Sequence, residues 1–389
     1  MNIRVVELCP EFLPCPPKRG GAIESYVYGI SKSMGKLGAE IHLVTIEKRQ
    51  DVDYSGIYVH TINLSNPIAI KFSALKNLTI QLLKVFKKIE DLYGEVDIIH
   101  NHYFTTSFAP LVYKYNKKGD VLIAGHIHNE PKPNRVNKAL IEAYDAHLAV
   151  SKYIKDRTVE LLGVNPSKIG VAYNAVDTEF FKPCNPSEKI EKRKALKIED
   201  TDFVIAFIGR IVPEKGLHHL LLASNLLKQR GYKFKLLIAG PLGHFDRESL
   251  EGYPKTCLDL VNRLDLGNTV KYVGRPEREE LRNLYCVSDL LVVPSIWEDP
   301  CPTVVLEAMA MGKPVVAYAS GGIPELIPPY GGVVVRNREP RCLADAIEMV
   351  IGGSVAFNEA ATVEWVRSKF SYPVIAQKLL KIFARMRAR

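Results

Sequence analysis

Residues 203–216 read FVIAFIGRIVPEKG, an apolar run that ends in Gly209-Arg210 and is followed by Lys215 at a predicted helix start. A continuous apolar run of this kind is typical of a strand buried on both faces of a parallel sheet. Ligands of such sheets bind beyond the carboxyl ends of the strands. The guanidinium fork of Arg210 and the point charge of Lys215 would suit a diphosphate there, and a solvated basic turn is the alternative interpretation.

The same strand-and-helix alternation extends in both directions from this stretch. Short apolar strands are predicted at 3–8, 41–46, 97–100, 121–124 and 147–150, and again at 203–208, 234–239, 270–273, 290–293 and 314–318. Strands that alternate with longer amphipathic segments indicate α/β domains with parallel sheets. We therefore predict two doubly wound, Rossmann-like domains facing a central cleft, which is where ligands commonly bind.

The predicted boundaries follow from a polar, proline-containing stretch in the middle of the chain. The first domain is expected to span 1–180, the linker 181–199 and the second domain 200–371. Residues 372–389 are expected to form a helix that crosses back to the first domain.

Composition excludes several classes of protein. The chain has 389 residues, of which 47% are hydrophobic and 24% charged, so it is neither disordered nor collagen-like. Its seven cysteines are scattered, which predicts reduced thiols in a cytoplasmic protein and no zinc site. An apolar run long enough for a membrane span and a signal-peptide pattern are both missing, so we expect any membrane contact to be peripheral.

The net charge of +9 is concentrated in two segments. Residues 71–88 and 370–389 each carry five basic residues and no acidic one, and both are amphipathic. Each could be a helix that packs its apolar stripe on the domain, or a surface drawn to anionic lipid. We do not expect nucleic acid as a partner, because no zinc finger, aromatic RNA-binding motif or long basic tail is present.

Two further loops could bind a nucleotide. Gly20-Gly21 precedes a predicted helix, where backbone amides can approach a phosphate, although an ordinary helix start has the same pattern. The segment from Asp299 to Glu307 follows a buried strand and opens another helix. Glu307 could accept two ribose hydroxyls and the amides of 303–305 could hold oxygens, or the carboxylate could simply complement the helix dipole.

Histidines mark the ends of two predicted strands in the first domain. His100 and His102 end one strand, and His126 and His128 end another. Residues two apart share a face of a strand, so packing alone can produce such pairs. The alternatives are a metal site and a polar lining of the ligand edge, and we predict the lining, with no metal, because no further ligands stand nearby.

These residues together resemble the retaining glycosyltransferases of family 4, which have the GT-B fold. The resemblance covers nearly the whole chain and rests on the joint order of its motifs rather than on any single one. It includes Gly20-Gly21, His100, His128, Val150-Ser151, Asn174-Ala175-Val176-Asp177, Gly209-Arg210, Lys215-Gly216, Gly240, Gly274, Tyr285, Pro294-Ser295, Asp299 to Glu307 and Gly321 to Glu325.

The resemblance implies a role for each matched residue. It implies catalytic roles for His128, Arg210, Lys215 and Asp299. It implies donor-binding roles for Gly20, Gly21, Gly209, Gly240, Arg275, Thr303, Val304, Val305 and Glu307. The residues expected to line the acceptor side of the cleft are His100, His102, His126, Asn129 and Asn174. His126 is the alternative to His128 as the histidine that contacts the donor sugar.

The expected function is transfer of a hexose-type sugar, with retention, from a UDP- or GDP-sugar to a glycan or lipid-linked acceptor. Neither a cofactor nor a metal is expected, because Arg210 and Lys215 would neutralise the leaving diphosphate. The sequence departs from the family where Asp299 stands in place of glutamate and Pro302 in place of a common glycine. The alternatives are a nucleotide-sugar epimerase or hydrolase of the same fold, and a non-catalytic, coat-associated relative.

Overall fold

The computed structural model of the chain describes residues 3–63, 72–117, 121–243 and 249–388, with the side chains of 72–74 left undescribed. The chain divides into two compact units. Unit 1 comprises Met1–Ala175 and Phe370–Arg389, and unit 2 comprises Val176–Lys369.

Unit 1 is built on a seven-stranded parallel sheet in the order β3-β2-β1-β4-β5-β6-β7. Its strands are β1 (Arg4–Leu8), β2 (Glu40–Thr45), β3 (Tyr58–Thr61), β4 (Ile98–Asn101), β5 (Leu122–Ile127), β6 (Ala146–Ala149) and β7 (Ile169–Val171). Its helices are α1 (Ala22–Lys36), α2 (Phe72–Tyr93), α3 (Phe108–Asn116), α4 (Arg135–Ala143), α5 (Lys152–Leu162) and, at the carboxyl end of the chain, α14 (Tyr372–Arg387).

Strand alternation gives the sheet of unit 1 two buried faces. Val5 and Ile98 belong to the core formed with α1 and α14. Their neighbours Val6 and Ile99 belong to the core formed with α2. Successive side chains of a strand point to opposite faces, so α14 and α2 cover opposite sides of one sheet.

Unit 2 repeats the plan with six parallel strands in the order β10-β9-β8-β11-β12-β13. Its strands are β8 (Val204–Ile208), β9 (Lys235–Ala239), β10 (Val270–Tyr272), β11 (Leu290–Val293), β12 (Val315–Tyr318) and β13 (Gly332–Val335). Its helices are α6 (Pro186–Ala195), α7 (Leu217–Gln229), α8 (Tyr253–Arg263), α9 (Arg278–Val287), α10 (Thr303–Ala310), α11 (Ile323–Leu326), α12 (Pro340–Ile351) and α13 (Glu359–Phe370). The two doubly wound domains predicted from the sequence are confirmed.

The predicted linker at 181–199 is instead folded into unit 2. Asn185 caps α6 by accepting a hydrogen bond from the Glu188 amide, and Pro186 occupies the first turn. Arg193 is 3% exposed and donates to the Val287 carbonyl oxygen at 2.9 Å and to the Asp289 carboxylate at 2.7 Å. The polar composition that suggested a linker reflects a helix held by these charged contacts.

The prediction that all seven cysteines are reduced is wrong for one pair. Cys184 and Cys286 form a disulfide, although 102 residues separate them along the chain. The packing of α6 and α9 against each other brings their Cα atoms to 5.8 Å, a contact that sequence spacing does not reveal. Cys9, Cys15, Cys257, Cys301 and Cys342 take no part in this disulfide.

Both basic segments are helices whose apolar stripes are buried. In α2 the buried residues are Leu78, Leu82, Phe86 and Ile89, and Lys76, Lys84, Lys87 and Lys88 are exposed. In α14 the buried residues are Ile375, Ala376, Leu379 and Phe383, and Lys378, Lys381, Arg385 and Arg387 are exposed. Lys71 and Arg389 lie outside the described residues. Among the helices that the structure describes, each is too short or too polar to cross a bilayer.

We predict that Phe383→Ala destabilises unit 1 by about 3–5 kcal/mol, the usual range for removing a fully buried aromatic ring. Phe383 is completely buried, and its ring centroid lies 5.2 Å from that of His100. The matched control is Lys381→Ala, an exposed position one turn or less away on α14, which should change stability by no more than about 0.5 kcal/mol. Chemical-denaturation midpoints measure both variants, and equal midpoints would contradict the packing of α14.

Candidate functional site

The loop after β8 begins the candidate site of unit 2. β8 lies between β9 and β11, at the point where the strand order reverses, and Gly209 and Arg210 follow it directly. The Gly209 amide donates to the Ala239 carbonyl oxygen at 2.9 Å. A Cβ atom on Gly240 would collide with the Gly209 carbonyl, so a glycine is required where the two loops meet. This close approach fixes the backbone of Arg210 at the edge where doubly wound sheets bind ligands.

A second close approach positions Lys215. The turn Pro213–Lys215 is followed by Gly216, which has a φ of 69° and caps the start of α7. A Cβ atom on Gly216 would collide with the Pro294 carbonyl, and the Ile296 amide donates to the Glu214 carbonyl oxygen at 3.0 Å. The turn after β8 therefore packs directly on the segment after β11.

This packing pairs Lys215 with Asp299. The Lys215 Nζ lies 2.5 Å from Asp299 Oδ2 and 5.6 Å from the ring centroid of Trp297. The Ser295 hydroxyl donates to the same carboxylate oxygen at 3.2 Å. Asp299 is nearly buried, with 5% of its side chain exposed, whereas 19% of Lys215 is exposed. The shorter aspartate side chain thus forms an ion pair with a lysine whose side chain is partly exposed.

The neighbouring acid, Glu298, stabilises the loop. Its carboxylate accepts hydrogen bonds from the Gly321 amide at 2.6 Å and from Arg338 at 2.6 Å. Arg338 also donates to the Ile296 carbonyl oxygen at 3.1 Å. Our sequence reasoning did not identify Arg338, because it lies in a loop after β13 with no motif around it. Glu298 and Arg338 together tie the loop that precedes Asp299 to the segment that follows β12.

Glu307 lies in α10 with a phenol against its carboxylate. The Tyr285 hydroxyl donates to Glu307 Oε2 at 2.7 Å. Burial raises the pKa of Glu307, while hydrogen bonds from Tyr285 and Thr303 oppose that rise. Burial also raises the pKa of Tyr285 well above its usual range, so the phenol stays protonated and keeps donating. The carboxylate is thereby oriented to accept further hydrogen bonds.

The predicted backbone contacts divide into two groups. Within the first turn of α10, which begins at Thr303, the Val305 amide donates to the Pro302 carbonyl oxygen at 3.2 Å. The Gly274 carbonyl accepts from the Gly240 amide at 2.8 Å, and this places Arg275 beside the Gly209–Gly240 contact. The structure therefore gathers the residues of unit 2 that the sequence predicted for donor binding near the carboxyl ends of its central strands.

In unit 1 the predicted glycine turn lies over a buried acid. Gly20 and Gly21 have φ values of 68° and 73° and lead directly into α1. Glu24, in the first turn of α1, is 6% exposed, and a Cβ atom on Gly21 would lie 2.9 Å from its Oε2. Burial, with a smaller contribution from the nearby Glu11 carboxylate, raises the pKa of Glu24 to about 7. Neither acid was singled out from the sequence.

The four histidines meet around a fifth residue, Glu7. We name these residues the histidine chain: Glu7, His100, His102, His126 and His128. All are at most 8% exposed, and the ring of Tyr26 packs edge-on against the last two. Burial raises the pKa of Glu7 well above its usual range and lowers that of His100 to about 3. Sequence reasoning missed Glu7 because it lies within an apolar strand, RVVEL.

The two other residues predicted for the acceptor side are Asn129 and Asn174. Asn129 directly follows His128 and is exposed. Asn174 follows β7, two residues after Ala172, and is partly buried. The structure thus brings the two histidine pairs together and does not add Asn129 to them.

Two groupings in the described residues have ligand atoms within 4.8 Å of one another, as metal sites require. One is His100, His102 and His126, whose ring nitrogens are engaged in hydrogen bonds within the histidine chain. The other is Cys184, Glu188 and Cys286, where the thiols form the disulfide. Glu188 is itself paired with Arg282 at 2.5 Å. Each grouping therefore already uses its polar atoms within the protein.

Fold and site together define a GT-B-type glycosyltransferase, and comparison with protein families agrees. The model described as Glycosyltransferase Family 4 matches residues 20–180, and the model described as Glycosyl transferases group 1 matches residues 188–360. The chain belongs to glycosyltransferase family 4.

Relatives and solved structures extend the likeness over almost the full length. An uncharacterized glycosyltransferase of Methanocaldococcus jannaschii is 25% identical, with 95% of each chain covered. The lipopolysaccharide 1,2-N-acetylglucosaminetransferase of Salmonella typhimurium is 26% identical, with 93% of each chain covered. A glycosyltransferase of Rickettsia africae has a similar fold, with a TM-score of 0.82, 20% identity and coverage of 99% and 98%. Anabaena HepE in complex with UDP-glucose gives a TM-score of 0.78, 21% identity and coverage of 99% and 100%.

We predict that Glu24 makes stability fall as the pH rises from about 4.5 to about 7. The folded state raises the pKa of Glu24 from 4.5 to about 7, so it binds a proton that the unfolded state has lost in this window. The contribution is complete below about 4.5 and disappears as the pH passes 7, with a total of about 3 kcal/mol.

Glu24→Gln should remove this part of the pH dependence, because the amide stays neutral throughout. Denaturation midpoints at pH 4.5, 6 and 7.5 measure it, and Glu47→Gln, at an exposed position, is the control. A pH profile of Glu24→Gln parallel to that of the unmodified protein would show that Glu24 is not buried as described.

Proposed function

We propose that this protein transfers a hexose-type sugar, with retention, from a nucleotide-diphosphate sugar to a glycan or lipid-linked acceptor without a divalent metal. The observation that carries the proposal is the placement of Arg210, the Lys215–Asp299 pair and Glu307 at the switch-point edge of the sheet of unit 2. Cations and a hydroxyl-binding carboxylate are what a nucleotide diphosphate requires.

The charge arrangement explains how a leaving diphosphate could be stabilised. Fixed positive groups lower the energy of a developing anion most where water is partly excluded. Lys215 has 19% of its side chain exposed, so an incoming phosphate oxygen can compete with Asp299 for its ammonium group. Arg210 adds a second cation from the adjoining loop, and these two positive charges take the place that a divalent ion has in other phosphate sites.

The nucleotide is assigned to Glu307 and the sugar to His128. The Tyr285 hydroxyl orients the Glu307 carboxylate, which is thereby prepared to accept the two hydroxyls of a ribose. Uridine nucleotides are the first candidates, because HepE, a structure of similar fold, was solved with UDP and with UDP-glucose. Relatives named for transfer to inositol phosphate and to lipopolysaccharide support a glycan or lipid-linked acceptor.

Acceptor dependence separates transfer from the alternative activities. A transferase consumes a UDP- or GDP-sugar rapidly only when an acceptor is present, whereas an epimerase or hydrolase consumes it alone. Proton NMR of the product then reads the anomeric configuration, and a product with an inverted linkage would refute retention.

We predict that Lys215→Gln lowers turnover by about a hundredfold or more, since one lost charge-stabilising donor costs about 3 kcal/mol of activation free energy. Glutamine retains a hydrogen-bond donor toward Asp299, which limits the loss of stability. The control, Lys228→Gln, removes an exposed lysine that is paired with Asp265. Turnover at saturating donor and the melting temperature are measured for both, and a Lys215→Gln enzyme with turnover within twofold of normal would refute the assignment.

We also propose that α2 contacts an anionic membrane surface, peripherally and at the cytoplasmic side. Ile80 is 41% exposed and has Lys76 and Lys84 one turn away on either side, so apolar and basic groups share one face. The other basic helix, α14, covers the opposite face of the sheet. One of its basic residues, Arg387, forms an ion pair with Asp97 at 3.1 Å. A flat membrane can contact only one of these two faces at a time, and α2 presents the better surface.

We predict that replacing Lys84, Lys87 and Lys88 with glutamate lowers affinity for anionic vesicles by about a hundredfold, because each basic residue contributes about 1 kcal/mol near such a surface. Co-sedimentation with phosphatidylserine-containing vesicles at low salt measures binding. The control makes the same change of charge at Lys233, Lys255 and Lys271, which are exposed on unit 2. Equal binding by the two triple variants would exclude α2 as the contact.

A further inference from the structure

The histidine chain is one unbroken series of close polar contacts. His128 Nε2 lies 3.0 Å from His102 Nδ1, and His102 Nε2 lies 2.7 Å from Glu7 Oε2. The other carboxyl oxygen, Glu7 Oε1, lies 3.0 Å from His100 Nδ1. Each of these groups is at most 8% exposed, so the protein itself must supply their hydrogen-bond partners.

At the His126 end of the series, the direction in which the hydrogen bonds are donated is fixed. His100 Nε2 lies 3.2 Å from His126 Nδ1, and His126 Nε2 lies 3.3 Å from the Ala172 carbonyl oxygen. A carbonyl oxygen can only accept, so His126 must carry its proton on Nε2. A neutral imidazole has one N–H, and therefore His126 Nδ1 accepts a proton from His100 Nε2.

The same reasoning fixes the proton positions of Glu7 and of the two histidines on its other side, His102 and His128. Because His100 donates through Nε2, its Nδ1 is an acceptor and requires a proton from Glu7, which must be a neutral carboxylic acid. The second oxygen of Glu7 accepts from His102 Nε2, so His102 Nδ1 accepts in turn from His128 Nε2. The neutral histidine chain thus has five protons for five hydrogen bonds, all donated toward Ala172.

Burial favours this neutral arrangement over a charged one. Desolvation raises the pKa of Glu7 and lowers those of all four histidines. An ionised Glu7 would accept from both of its neighbours, and His126 would then need protons on both nitrogens to satisfy His100 and Ala172. That alternative places an imidazolium and a carboxylate out of water, which costs several kcal/mol per ion.

We propose that the histidine chain holds His128 in the tautomer with the proton on Nε2, so that its Nδ1 presents a lone pair to the ligand. Glu7 and His102 are positioning residues for His128, and the Ala172 carbonyl sets the direction. His128 then binds a group that donates a hydrogen bond, such as a sugar hydroxyl, rather than one that accepts. This inference rests on the proposed function only in naming a sugar, since the tautomer is a property of the protein alone.

The first test is the tautomer of His128 in the full chain without substrate. Long-range proton–nitrogen NMR spectra of 15N-labelled protein distinguish the two neutral tautomers and the imidazolium, and the signal lost in His128→Asn assigns the ring. We expect a protonated Nε2 and an unprotonated Nδ1 from pH 6 to 8. A proton on Nδ1, or a doubly protonated ring at pH 7, would overturn the proposal.

The second test compares Glu7→Gln with Glu7→Leu. Glutamine imitates the neutral acid, because its amide can donate to His100 while its carbonyl accepts from His102. We expect Glu7→Gln to keep the His128 tautomer and to change kcat/KM by no more than about threefold, whereas Glu7→Leu yields mixed tautomers and about a tenfold fall in kcat/KM, the loss expected for one hydrogen bond. Mixed tautomers in Glu7→Gln, or an unchanged tautomer in Glu7→Leu, would show that Glu7 does not direct His128.

Two outcomes keep this inference separate from the proposed function and from metal binding. Normal turnover of Lys215→Gln would refute the transferase assignment and leave the tautomer result standing. Stoichiometric zinc or another transition metal on His100, His102 and His126 in the purified protein would overturn the chain, because a metal takes the lone pairs that these hydrogen bonds use. If Glu7→Leu does not fold, the spectra of the unmodified protein and of Glu7→Gln still decide the proposal.

Discussion

The candidate site depends on one constraint of parallel sheets, that the carboxyl ends of all strands meet at the same edge. Where the strand order reverses, adjacent loops diverge and leave room for a ligand. Both units have this reversal, between β1 and β4 and between β8 and β11. Glu7 and His100 are register partners at the first reversal, and Arg210 and Ser295 follow the two strands of the second. Polar and charged residues that are distant in sequence become neighbours for this reason.

Glycines in unit 2 convert this general property into a specific geometry. Gly216 and Gly240 stand where a Cβ atom would strike the backbone of another loop. The loops can then approach closely enough for Lys215 to reach Asp299 at 2.5 Å. The aspartate that departs from the family pattern is thus matched to a lysine at short range. An ion pair at this position keeps the partly exposed lysine in place.

Much of the fold follows from periodicity, and the sequence predicted strands that match β1, β8 and β11 closely because they are continuous apolar runs. It missed β3, β7 and β13, which are short, partly exposed strands that carry little of that signal. It also placed the histidine pairs on shared faces through their two-residue spacing. It could not find Glu7, Arg338 or the Cys184–Cys286 disulfide, because their roles come from contacts between elements that no local pattern encodes. Helix α6 was taken for a linker because its charged residues find their partners only in the folded unit.

The two units offset the desolvation free energy of their polar groups in different ways. In unit 1 the histidine chain buries four imidazoles and a carboxyl group, and an uncharged network of matched donors and acceptors avoids the penalty of desolvated ions. In unit 2 the partly exposed Lys215 is instead paired with Asp299. The difference suits two kinds of recognition. A neutral, oriented imidazole discriminates among hydroxyl groups by the direction of a hydrogen bond, whereas an accessible ammonium group attracts an anion at longer range and neutralises the charge that develops on it. Under the proposed function, the oriented imidazole is the group suited to a sugar hydroxyl and the ammonium group is the one suited to a diphosphate.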